Sequence, residues 1–254
     1  MAQTKIPFMG ISIDNLDADE IVEHILKCVK QKKPVHIVGV NVDQIVTVNK
    51  NIISNKIFQE AELIFIDGKP IKLMCSLLGR PIKRRITGPD LMEYICKKGA
   101  NHKLRIFLLG AGPGVAKRCG EVLEARYPGI IVTGTYSPPF GFENDLEELN
   151  KINSMLKNSD SDLLFVGMGS PKQDIFIYEN KEKYNIPVSF SMGAALDFIA
   201  GNVKRAPRWM INCGLEWLHR IIQNPKRLWR RYLITDMAII PLFIKEIFNN
   251  KKRK

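Results

Sequence analysis

Five places in this chain set polar or glycine residues directly after a short apolar run, and these are where chemistry is to be sought. Asp67-Gly68 follows Leu63-Ile64-Phe65-Ile66, which aims a carboxylate out of a strand end. With a substrate proton in hydrogen-bond reach that carboxylate is a general base; without one, Asp67 simply forms a turn with Gly68. Asn41 and Asp43 follow the run 35–38 in the same way. Gly110-Ala111-Gly112-Pro113-Gly114 lies between an apolar run and a helical pattern, a setting that suits phosphate at a helix N-terminus. Val115 stands where a dinucleotide fingerprint needs its third glycine, so a tight turn near a nucleotide is expected rather than NAD binding. Residues 136–143 form the fourth rim segment. In the fifth, Gly169-Ser170-Pro171-Lys172-Gln173-Asp174, Pro171 suits the first turn of a helix. Gln173 either offers its amide to a sugar or decorates a helix start.

Charge is distributed unevenly. Of a net +12, ten positive charges belong to residues 204–254, where thirteen Lys or Arg face only Glu216, Asp236 and Glu246. All three Trp (Trp209, Trp217, Trp229) are there too, interleaved with Arg and Leu at spacings near three and four, which describes basic amphipathic helices. Indole beside Arg or Lys suits the headgroup level of a membrane or an anionic substrate. The same pattern also fits a helical subdomain packed on the body with a solvated basic face.

The elements that must position these groups alternate. Apolar runs at 35–38, 63–66, 104–109, 130–132, 163–166 and 188–190 are separated by helical patterns at 19–32, 89–98, 115–127, 146–157 and 172–181, and a strand-like segment at 8–13 precedes them. Near-continuous apolar strands separated by helices predict an α/β fold: a Rossmann-like, mostly parallel sheet with helices on both faces, followed by a basic helical appendage. The expected division is a catalytic core at 1–203 and the appendage at 204–254. In such sheets ligands sit beyond the carboxyl ends of the strands, where the five segments above collect.

Several classes are disfavoured. A chain of 254 residues with 45% hydrophobic content can bury a proper core. Cys28, Cys75, Cys96, Cys119 and Cys213 are scattered and odd in number, so neither a disulfide framework nor a zinc site is suggested, and a cytosolic location is expected. The N-terminus lacks the apolar core of a signal peptide. The longest apolar stretch, 232–248, contains Asp236, Pro241, Lys245 and Glu246 and falls short of the roughly 20 apolar residues of a spanning helix. No His and carboxylate spacing asks for a metal. Asp160-Ser161-Asp162 has the spacing of a metal-binding D-x-D but precedes its strand, and Asp17 or Asp19 is better read as starting a helix. A nucleic-acid partner is not expected, because no recognition element accompanies the charge.

Asn41-Val42-Asp43-Gln44-Ile45, Ile66-Asp67-Gly68, Arg85-Ile86-Thr87-Gly88-Pro89-Asp90-Leu91, Gly169 to Asp174, and Lys204 to Trp209 through Gly214-Leu215-Glu216-Trp217 together resemble the WecG/TagA/CpsF glycosyltransferases, glycosyltransferase family 26. The likeness covers almost the whole chain in order. It implies inverting, metal-independent transfer of a sugar, most often N-acetylmannosamine, from a UDP donor to a polyprenyl-diphosphate-linked sugar such as GlcNAc. The setting it implies is the inner face of the cytoplasmic membrane, in synthesis of teichoic acid, another wall polymer or exopolysaccharide. No cofactor is implied. Asp67 matches the family's base and Arg85 and Gln173 its pocket, while Arg220, Arg227 and Arg230 fall at or near appendage arginines that reach the diphosphate. The resemblance also implies that the appendage completes the active site, meets an anionic membrane and takes part in self-association. Gly39-Val40 stands where several members carry a threonine, a departure that bears on donor identity more than reaction type. The alternatives are another UDP-sugar (N-acetylmannosaminuronic acid, glucose or glucuronic acid), or a noncatalytic basic protein of the membrane surface.

Overall fold

The six apolar runs after residue 34 become six parallel strands. The computed structural model describes residues 5–252, apart from the side chains of Arg208, Asn212, Arg227, Lys251 and Lys252. Its strands are β1 (Lys5–Phe8), β2 (Ile11–Asp14), β3 (Val35–Val40), β4 (Leu63–Ile66), β5 (Arg105–Gly110), β6 (Ile131–Tyr136), β7 (Leu163–Gly167) and β8 (Val188–Ser191). The main sheet has the order β4-β3-β8-β7-β5-β6, every neighbouring pair parallel, while β1 and β2 form a separate antiparallel hairpin. The strand-like segment at 8–13 is therefore interrupted. Met9 and Gly10 turn at φ +43° and +86°, and the chain doubles back.

Helices α1 (Ala18–Gln31), α2 (Val42–Lys50), α3 (Ile52–Gln59), α4 (Lys69–Leu77), α5 (Gly88–Gly99), α6 (Val115–Arg126), α7 (Leu146–Asn158), α8 (Lys172–Tyr184) and α9 (Ala195–Ile199) belong to the core. Strand side chains alternate between two faces, as the period of two requires. Ile37, Phe65, Ile106, Leu108 and Phe165 pack with residues of α1, α5, α6 and α9. On the other face Val38, Val40, Ile64 and Ile66 pack with the hairpin, α2, α3 and α4, and Phe107, Leu109 and Leu164 with α7 and α8. Burial on both faces is why these strands read as unbroken apolar runs. Asp17 caps α1 in a reciprocal capping box with Glu20, as its position ahead of that helix suggested.

The appendage continues as α10 (Arg208–Cys213), α11 (Glu216–Gln223), α12 (Pro225–Arg230), a π-helical turn at Arg231–Thr235, a 3₁₀ turn at Asp236–Ala238, and α13 (Ile239–Lys252). Ile239 is buried in the same apolar cluster as α2 and α4, with Leu242, Phe243 and Ile247 packed against it. Arg80 binds Glu246 at 2.7 Å, and Asn250 donates to the Leu78 carbonyl at 3.1 Å. Each fully buried aliphatic or aromatic side chain is worth about 1.5–3 kcal/mol. Deleting 204–254 is therefore expected to lower Tm by many degrees as well as abolish turnover, which calorimetry of the truncated protein would read.

Candidate active site

The chain leaves β5 for β6 in one direction and β7 for β8 in the other, so a crevice opens beyond the carboxyl ends of the adjacent strands β5 and β7. Gly110 and Gly167 face each other in register there. Gly110 has φ +109°, and a Cβ on it would lie 2.6 Å from the Gly167 carbonyl oxygen, so no larger residue fits. From this crevice a cleft of about 1120 Å³ extends across the strand ends to β4 and is roofed by the appendage.

Asn41, Asp43, Asp67, Arg85, Gly110, Gln173 and Arg220 all line that cleft. Asn41 caps α2: its Oδ1 accepts from the Asp43 and Gln44 amides at 3.0 and 3.5 Å, and Gln44 bonds back to the Asn41 amide. Asp43 thereby sits in the first turn of α2 and meets Arg231 at 3.3 Å. Gln173 is buried at the start of α8, where its Oε1 accepts from the Gly169 and Gly193 amides at 3.2 and 2.9 Å. It joins the loops after β7 and β8, a positioning role that its location at a helix start did not reveal. Gly39 also lines the cleft, and a Cβ there would meet the Phe65 ring at 2.6 Å, so an aromatic ring fills the space a side chain at this position would need.

Asp67 lies half-buried beyond the end of β4, its amide bonded to the Val40 carbonyl at 3.0 Å and its Oδ1 accepting from the Gly88 amide at 3.2 Å. Gly68 permits this placement through a close approach, since a Cβ on it would press on Asn41 at 3.3 Å. Burial pushes the Asp67 carboxyl up to about 6, the charge of Glu216 adds to the rise, and the Gly88 amide, Arg85 and Arg220 oppose it. Glu216 and Arg220, one turn apart on α11, both face the cleft. The Arg220 guanidinium lies 5.7 Å from the centre of the Phe198 ring.

Of the other appendage arginines, Arg230 is exposed and outside the lining, and the side chain of Arg227 lies outside the described residues. Arg231 lines the cleft instead. Arg231 is four residues after Arg227, a spacing that keeps positions on one face of a regular helix, and the π-helical turn starts from there. Asp236, also in the lining, is buried with its Oδ1 unbonded. Burial holds its carboxyl up at about 6, Arg231 opposing and Asp43 adding to the rise. The only sequence signal for it was an acid inside an apolar run. Asp174, buried behind the β7 loop, accepts from the Ser170 hydroxyl at 2.8 Å and is likewise raised to about 6 by burial.

The remaining polar motifs lie elsewhere or support the walls. Asp160 pairs with Arg105, and Asp162 accepts from the Arg105 amide at 2.8 Å, at the amino ends of β5 and β7, opposite the cleft. Arg205 grips Asp90 through both guanidinium ends and Thr87 at 2.9 Å, fastening the start of the appendage to the N-terminus of α5. His24 and Cys28 of α1 bring their donor atoms within 4.8 Å of Glu62, a grouping invisible in the sequence; none of the three lines the cleft.

A carboxyl near 6 facing several guanidiniums can take a proton at neutral pH while the cations hold an anion. The kcat/KM profile is expected to rise along a limb centred near pH 6, because only ionised Asp67 accepts a proton. Asp174 and Asp236 titrate in the same range, so the assignment needs a specific perturbation. Glu216→Gln removes a charge that raises Asp67 and should move the limb to lower pH; an unmoved limb would assign it to another group. These three carboxyls rise from 3.8, so the native state binds the extra protons, and their contribution to stability falls as pH rises from about 4 to 6.

Residues 6–253 match the sequence profile described as the glycosyl transferase WecG/TagA/CpsF family. The chain is 32% identical over 196 residues, 77% of its own length and 72% of the relative's, to a Bacillus spizizenii protein named N-acetylglucosaminyldiphosphoundecaprenol N-acetyl-beta-D-mannosaminyltransferase. A Staphylococcus aureus protein of the same name is 27% identical over 257 residues, covering 98% of this chain and 94% of that one.

Proposed function

The chain belongs to the WecG/TagA/CpsF glycosyl transferase family, and we propose that it moves N-acetylmannosamine from a UDP donor to the GlcNAc of a polyprenyl-diphosphate-linked acceptor, inverting the anomeric carbon. The observation that carries this reading is the placement of Asp67 at one end of the cleft, with the glycine crevice at the other. From β4 to β5 is four strand spacings, about 19 Å at about 4.8 Å each, room for a nucleotide sugar laid across the strand ends.

In this arrangement the uridine diphosphate lies toward Gly110 and Gly167, and the sugar points to Asp67. The Asp67 carboxylate takes the proton of the acceptor hydroxyl as its oxygen attacks the anomeric carbon. The bond to the diphosphate breaks with the electron pair leaving on UDP. Arg220 and Arg231 offer fixed positive charge for that departing diphosphate, which is the role a divalent metal fills in other nucleotide-sugar transferases. Asp43 orients Arg231 in the cleft.

The appendage supports a place at a membrane surface. Among the described residues no helix is long and apolar enough to cross a bilayer. The tail instead exposes Trp209, Trp229, Leu233, Ile234 and Phe248 among its cations, the composition of a helix that lies in the headgroup layer of anionic lipid. Binding to the inner face of the cytoplasmic membrane would bring the cleft to a lipid-linked acceptor, and self-association would compete for the same apolar surface.

The test is UDP release in EDTA with a short-chain GlcNAc-diphosphate-lipid acceptor and a donor panel: UDP-ManNAc, UDP-ManNAcA, UDP-glucose, UDP-GlcNAc and UDP-glucuronic acid. Acceptor-dependent release from UDP-ManNAc is expected. Release from another donor alone would reassign the sugar, and dependence on added metal would remove the proposed role of the arginines.

A further inference from the structure

We infer that the isoprenoid chain of the acceptor is held in an apolar corridor between α4 and the segment that links α12 to α13. This rests on the proposed transfer reaction, because that reaction fixes which end of the cleft receives the acceptor. If the donor occupies the strand ends from β5 to β3, the acceptor hydroxyl must reach Asp67 from beyond β4, the edge strand. That side is bounded by α4, which follows Asp67 directly, and the chain from 231 to 239, packed on α2, lines the cleft with it.

The lining changes character there. Asn41, Asp43, Gln173 and the glycine loops give way to Pro70 and Met74 of α4 and Leu233, Met237 and Ile239 of the appendage. Arg85 and Lys69 line the cleft near Asp67, so cationic groups stand where a diphosphate would precede the hydrocarbon. Outside the cleft the same two walls remain apolar. Leu73 and Leu77, one turn apart on α4, are 61% and 68% exposed, and Ile240, Ile244 and Phe248 form a stripe along α13. The Arg80–Glu246 pair and the Asn250–Leu78 bond tie the chain just after α4 to α13. A lipid leaving over these joined elements passes from an apolar lining to apolar outer faces. Such exposure on an otherwise charged protein marks an interaction surface. Undecaprenol, which the names of the relatives contain, has the chemistry this path fits.

The experiment is equilibrium binding by the full-length protein, which requires no turnover. Wild type is expected to bind farnesyl diphosphate at least tenfold more tightly than methyl diphosphate, since each buried CH₂ is worth about 0.8 kcal/mol. Met74→Asp and Met237→Asp should each erase that preference while leaving UDP affinity unchanged. Met237 is half-exposed, so its substitution is tolerated by the fold, and UDP binding reports that both variants are folded. Equal binding of the two diphosphates by wild type, or a preference that survives both substitutions, would overturn the corridor. Failure of sugar transfer in a protein that shows the preference would count against the proposed reaction alone.

Discussion

Asp67→Asn is expected to lower kcat by about 10²-fold or more, the scale of a lost general base, while the protein remains folded. The change is close to isosteric, and the asparagine Oδ1 can still accept the Gly88 amide now bonded to Asp67. At neutral pH the wild-type carboxylate is ionised against the cost of its burial, so the neutral amide should leave Tm unchanged or raise it. A rate drop together with retained or higher stability separates a chemical role from a structural one. Asp43 and Asp90 are poorly placed to substitute: Asp43 is engaged by Arg231, and Asp90 by both ends of the Arg205 guanidinium, which with Thr87 holds its carboxyl below the usual range despite burial. If Asp67→Asn retained most of the rate, Glu216, the acid of α11 that lines the cleft, would become the candidate base.

The second large effect is expected at Arg220. Removing one fixed charge from a developing anion typically costs 10²–10³-fold, so Arg220→Ala should lower kcat/KM for the donor by about that factor. Arg220→Lys should recover only part of it, because an ammonium lacks the planar fork that grips two phosphate oxygens and stacks on Phe198. Arg220 also lowers Asp67, so its loss should move the pH limb upward, opposite to Glu216→Gln. Arg230→Ala, at an exposed position, should stay within a few-fold of wild type, whereas Arg231→Ala should approach the Arg220 loss. The reverse ranking of Arg230 and Arg231, read from steady-state kinetics, would mean that the appendage closes on substrate in another arrangement.

Much of the core was legible because its strands are buried on both faces. Runs such as Leu63 to Ile66 and Leu163 to Val166 can be little else between helical patterns, and α1, α5, α6, α7 and α8 begin and end within a few residues of their periodic segments. The elements that were not legible have physical reasons. α2 and α4 start directly on the strand ends, so Asn41 and Gly68 read as rim residues although they are also the N-caps of helices. The hairpin was hidden because Met9, a non-glycine residue, takes the left-handed conformation that its turn needs. Asp67, Arg85 and Gln173 were found from strand-end position and family likeness, and the cleft contains all three. Arg231 was missed because the family likeness pointed to its neighbours Arg227 and Arg230, and Asp236 because it follows a π-helical turn, which has no sequence period of its own. Gln173 was located correctly, but its two backbone bonds come from different loops, at Gly169 and Gly193, the second twenty residues along the chain from it.

The most direct measurement is the anomeric configuration of the product made by wild-type enzyme from UDP-α-ManNAc and a short-chain GlcNAc-diphosphate-lipid, read by NMR. A single base at Asp67 and attack by the acceptor opposite the departing UDP require a β-linked disaccharide, absent or reduced at least 10²-fold with Asp67→Asn. An α-linked product would mean retention, through two displacements or attack on the face UDP leaves, and would contradict the role assigned to Asp67.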